Sequence, residues 1–111
     1  MTKDILTQLE QNIADSKKII ELGNAYDRLQ SNRDFKKLIN EAYFEQEAVR
    51  LVHLLSDPTQ QSAQAQESIQ KQMQAIGGLR SFFTVLQQRV NMARNALNAD
   101  EATREEILGE E

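Results

Sequence analysis

The stretch that decides the fold is Ile69–Leu97, IQKQMQAIGGLRSFFTVLQQRVNMARNAL. Ile69, Ile76, Phe83, Val90 and Leu97 recur every seven residues. Three places after the first four stand Gln72, Leu79, Leu86 and Ala93. An apolar pair repeated every seven residues is the seam of a coiled-coil-like helix. Residues 79–98 carry it most clearly. Gly77-Gly78 interrupts it, and a glycine pair is a recognised place for a helix to kink. The spacing therefore leaves two forms open: one helix from 59 to 98, about 60 Å long, or two shorter helices broken at the glycines. Upstream, residues 59–74 hold seven Gln and almost no anchor before Ile69. Gln is a good helix former, so an exposed helix is the expectation there, and the spacing assigns the Gln-rich 59–68 stretch no role.

Working outward, glycine and proline are nearly absent, with four Gly and one Pro in 111 residues, so the elements are long. Ile5, Leu9, Ile13, Ile19, Leu22, Tyr26 and Leu29 step by helical intervals and predict a helix over 2–29. Gly23, inside it, costs about 1 kcal/mol relative to Ala and marks a close approach of another helix. Ser31-x-x-Asp34 reads as a capping signal after a turn near 30–32, and with no Gly or Pro to enforce that turn, one continuous helix through it stays open. A second helix follows over 33–56. Phe35, Leu38, Ile39, Ala42, Val49, Val52 and Leu55 make its stripe, and Tyr43, Phe44, Ala48, Leu51 and Leu54 widen it beyond one face. Such a helix is expected to be central and buried on more than one side. It stops at Asp57-Pro58.

The fold class that follows is all-α: an antiparallel helical hairpin plus a long or kinked third helix, a three- to four-helix or coiled-coil-like arrangement. Residues 1–99 read as a single helical domain and 100–111 as an acidic C-terminal tail. Of the 17 acids against 13 Lys and Arg, six lie in that tail beside Arg104 alone. The tail is thus at −5 and the remaining body at +1. A body so near neutrality lacks the basic footprint of a nucleic-acid binder. No apolar run approaches membrane-spanning length, and no hydrophobic leader segment follows Met1.

Chemistry-bearing residues are scarce. Without Cys there are no disulfides, thiol nucleophiles or thiolate metal sites. His53, the one His, reads as a helix-end side chain on a carbonyl or in solvent. Glu41, Glu45 and Glu47 fail the Glu-x-x-His pattern of carboxylate-bridged metal sites, because Phe44, Ala48 and Arg50 stand three residues on. A Glu47 or Glu45 pair with Arg50 on a solvated face explains them better. Arg28, Arg33, Lys36 and Lys37 interleave with Asp27 and Asp34 as a solvated corner. Phe82 and Phe83 point about 100° apart on a helix. Phe83 joins the seam, and Phe82 is left to pack on another helix of the chain or on a partner.

Two segments carry a resemblance. Asn32–Pro58, NRDFKKLINEAYFEQEAVRLVHLLSDP, and Gln74–Phe83, QAIGGLRSFF, resemble a group of short helical proteins of tailed bacteriophages. Their pattern is DFKKLI-x-E-x-YF, then EA-x-RLV-x-LLSDP, a variable polar insert, AIG-x-L and an acidic C-terminus. The resemblance implies a structural or assembly protein of the virion, found in the particle or in the host cytoplasm during assembly. It implies no enzyme and carries over no catalytic residue, cofactor or metal. The expected partners are other copies of the chain, through Ile69, Met73, Ile76, Leu79, Phe83, Leu86 and Val90, and other virion proteins. A phage regulator that binds and inhibits a host protein is the alternative.

Overall fold

A computed structural model describes residues 2–110. Helix α1 spans Thr2–Ser31. A single non-helical residue, Asn32, separates it from α2, Arg33–Phe35. The chain continues as a π-helix over Lys36–Glu47, then as α3, Ala48–Ser56. A 3-10 turn at Pro58–Gln60 leads to α4, Ala63–Gly109. No strand occurs among the described residues, so the fold is all-α, with a long third helix. Of the two forms open at Gly77-Gly78, the chain takes the continuous one. The acidic segment, as far as Gly109, is the end of that same helix rather than a loose appendage.

The chain forms two compact units. One joins the residues up to Asp27 with those from Val85 onward, and the other is Arg28–Thr84. Helix α4 contributes to both.

In the first unit α1 runs antiparallel to the second half of α4. Leu9, Ile13, Ser16 and Gly23 are its buried positions, and Leu86, Val90 and Ala93 are those of α4. At Gly23 the helices come so close that an added Cβ would lie 2.7 and 2.8 Å from the Val90 methyls. The close approach expected of this glycine is thus real, and Val90 is what makes it. Gly77 and Gly78 in α4 differ, since a Cβ on either would meet nothing within 4 Å.

In the second unit the helix 33–56 runs antiparallel to the first half of α4. Leu51 is fully buried against Ile69 and Ile76, ringed by Tyr43, Phe44, Ala48, Leu54, Leu55 and Met73. Phe83 stands edge-on to Phe35 and Phe44 at 6.2 and 6.3 Å between ring centres, a favoured geometry for aromatic quadrupoles. The Arg80 guanidinium lies 5.6 Å over the Phe44 ring. Asn40 ties the corner by donating its amide to Gln30 at 2.8 Å.

The π-helix has a cause in the sequence. Counted at 3.6 residues per turn, Phe35 shares a face with Leu38, Ala42, Val49 and Val52, whereas Leu51 shares one with Phe44 and Ala48. These faces diverge. Winding 36–47 more loosely, at about 4.4 residues per turn, brings Phe35, Ile39, Tyr43, Phe44, Ala48 and Leu51 toward α4 together. Leu38, Val49 and Val52 are left outside, at 66, 56 and 52% exposure. The expectation that this helix is buried on more than one side therefore fails: only one side is covered, and α4 is the helix that packs in both units.

The connections are capped by side chains. Asn32 accepts from the Phe35 N–H at 2.9 Å, so the cap sits one residue after the expected Ser31. Asp57 accepts from the Thr59 N–H and hydroxyl at 2.8 and 2.7 Å, and those bonds hold its carboxyl below the usual carboxylate range. The Gln-rich stretch gains a role here. The Gln61 and Gln66 amides both donate to the Leu55 carbonyl, at 3.0 and 3.2 Å. Gln61 also reaches the Asp57 carbonyl at 2.7 Å, and Gln66 the Gln60 carbonyl at 2.8 Å. They serve carbonyls that the end of a helix leaves unpaired.

Gly23→Ala is expected to destabilise the chain by about 1–2 kcal/mol, because the inserted methyl overpacks against Val90. Gly77→Ala and Gly78→Ala should each stabilise it by about 0.5–1 kcal/mol. Urea denaturation of the three variants checks both signs. A 12-residue π-helix holds about two residues more than an α-helix of as many turns. Deleting the exposed pair Glu45-Gln46 should therefore let the segment wind as α-helix with Phe35 and Leu51 still on one face. The deletion protein should unfold cooperatively and near the parent's midpoint; deleting two residues within α3 should not be tolerated in this way.

Candidate helix-docking surfaces

The seam expected to bind other copies lies inside the chain. Ile69 and Ile76 are 3 and 6% exposed and pack on Leu51, with Met73 against the same cluster. Leu79 and Phe83 are half-buried, Phe83 between two rings of the helix 33–56. Leu86 and Val90 are buried in the first unit, where Val90 abuts Gly23. Ile69 and Ile76 are thus covered by the helix 33–56 in the second unit and Leu86 and Val90 are buried in the first, while Met73, Leu79 and Phe83 keep part of their surface exposed.

The surface left over is elsewhere. Ile5, Leu22, Leu29, Leu38, Val49, Val52, Phe82, Val85, Met92 and Leu108 are all large, apolar and exposed. Of the two packings open to Phe82, packing on another helix of the chain does not occur. Its ring is 59% exposed and meets Phe83 at 5.7 Å. Helical spacing flags such residues as apolar but does not say which of two stripes the chain will cover.

The chemistry-bearing residues do not converge. His53, Glu41 and Glu45 are exposed. Glu47 pairs with Arg50 one turn away, which holds the Glu47 carboxyl below its usual range and the Arg50 guanidinium above its own. Lys71 and Glu67 form a second exposed pair at 3.0 Å. Among the described residues no three of His, Asp or Glu gather where a metal ion could be held. The corner residues Arg28, Arg33, Lys36 and Lys37 are exposed. A groove in the first unit is lined by Gly23, Tyr26, Asp27, Val90, Asn91 and Arg94 and contains no nucleophile paired with a base. No helix is long and apolar enough to cross a membrane among the described residues.

Ile76→Ala should then cost about 2–4 kcal/mol of folding stability by opening a cavity beside Leu51, with the size of any oligomer unchanged. A fall in oligomer size with helicity and stability intact would show instead that the seam binds other copies. No family model, curated protein or solved structure matches this chain, so any reading of its function rests on its own residues.

Proposed function

We propose that this chain is a non-catalytic structural or assembly protein of a tailed-phage virion. It works by helix contacts with copies of itself and with other virion proteins. Its place is the particle, or the host cytoplasm during assembly. The observation that carries the reading is that ten large apolar side chains are left exposed among the described residues, on α1, on the helix 33–56 and on α4 alike. A single exposed apolar residue is ordinary; this many along long helices suit a chain that covers them against other helices.

The chemistry supports the same reading. Glu41 and Glu45 sit on a solvated helix face, its one His is exposed, and the ion pairs Glu47–Arg50 and Glu67–Lys71 each lie one helical turn apart. The phage attribution rests on the resemblance of 32–58 and 74–83, which are helix, core and turn residues. The alternative, an inhibitor of a host protein, would use the same exposed residues.

Copy number in purified particles separates the two. Quantitative mass spectrometry should find the chain at many copies per particle, at a fixed ratio to the other virion proteins. Its abundance in infected lysate combined with absence from particles would overturn the structural reading and favour the regulator.

A further inference from the structure

Helix α4 carries a second stripe at heptad spacing, one residue behind the buried seam. Within the first unit it comprises Arg89, Met92, Ala96, Ala99, Thr103 and Glu106, with steps of three and four throughout. Every one of these residues is exposed, Met92 at 71%. Val85, seven residues before Met92, extends it and is 47% exposed. The Thr103 hydroxyl is already bonded to the Ala99 carbonyl at 3.0 Å, so the middle of the stripe makes no polar demand on a partner.

We propose that this stripe docks against the same stripe of a second copy, running antiparallel. The proposal rests on the self-association reading above and names the surface responsible. The charge order selects both the occupant and its direction. Arg89 and Glu106 stand at opposite ends of the stripe, and neither has an ion-pair partner among the described residues. Turn a second α4 about a two-fold axis midway between Leu97 and Asn98. Arg89 then faces the partner's Glu106, Met92 faces the partner's Thr103, and Ala96 faces the partner's Ala99. Two-fold symmetry makes each pairing twice over, as an isologous interface requires. A parallel copy would set Arg89 against the partner's Arg89 and Glu106 against the partner's Glu106, and the repulsion rejects it.

Two further features agree. Small residues at the axis let two helix backbones approach to about 8 Å, the close end of helix packing. The acidic end of α4 is also electrostatically costly in a single copy. Its last turn has no basic residue, Glu106 and Glu110 lie at i, i+4, and carboxylates oppose the negative end of the helix dipole. An arginine from a second copy offsets that cost.

The test uses the full chain in low salt, with sedimentation for mass and circular dichroism to confirm that helicity is kept. All the substituted positions are exposed, so folding is spared. Arg89→Glu alone and Glu106→Arg alone should each weaken dimerisation by about tenfold, since either turns two attractions into two repulsions. The double variant R89E/E106R should restore it to near the wild-type value, a recovery that only the antiparallel register gives. Mixing Ala96→Cys chains with Ala99→Cys chains under oxidation should yield the mixed disulfide ahead of either homodimer. Dimerisation indifferent to both charge reversals overturns this surface while leaving self-association standing. A wild-type chain that is monomeric at every concentration overturns both.

Discussion

The constraint on which the structure depends is that α4 must be covered in each of the two units, by a different helix in each. Between Ile69 and Ala93 it supplies Ile69, Ile76, Leu86, Val90 and Ala93, five of the eight buried apolar residues among those described. Each stretch accepts a neighbour on its own terms. Near Val90 it is bulky, so the neighbour must be bare, and Gly23 is. Near Ile69 and Ile76 it accepts Leu51, which among the described residues is the one side chain excluded completely from solvent. The connections serve this arrangement. Asn32 turns the chain out of α1 in a single residue, and Asp57, Gln61 and Gln66 secure the backbone between α3 and α4.

The same demand explains the unusual winding of 36–47. An α-helix through this segment would present Phe35 and Leu51 on different sides, and α4 has one side to offer. The chain relaxes the pitch instead of giving up an anchor. The π-helix is a less favourable conformation, used in proteins mostly as single turns. Its retention over 12 residues shows how strongly the aromatic group at Phe83 and the core at Leu51 act together. The residues displaced by this choice, Leu38, Val49 and Val52, account for three of the ten large apolar side chains left exposed.

Much of this was legible in the sequence, for identifiable reasons. The seven-residue recurrence from Ile69 to Leu97 located the buried face of α4, because a period of 3.5 can be satisfied only by a helix packed on one side. Gly23 announced the close approach. The π-helix was not legible: at short range its apolar positions fit an α-helix with an extra-wide stripe, and only the partner's geometry decides between these. The caps were partly legible, since Asn32 and Ser31 are equally good cap residues by type and backbone position alone chose between them. The work of Gln61 and Gln66 was hidden, because a long amide reaching back to a carbonyl five or more residues away leaves no periodic trace.

That the seven seam residues read as a surface for other copies has a general reason. Apolar periodicity says that a face is covered and is silent about whose atoms cover it, because the hydrophobic effect is non-directional. Charge is different, since it carries a sign and therefore an order along the helix. The buried seam from Ile69 to Val90 contains no charge at all, so nothing in it could have distinguished the chain's own helices from another copy's. The exposed stripe from Arg89 to Glu106 does contain that information. Opposite signs at its two ends give it a polarity, and a stripe with a polarity has one self-complementary way to meet its own copy. Partner choice in this chain is accordingly to be sought in the lightly apolar, charge-flanked face of α4 and not in the strongly apolar one.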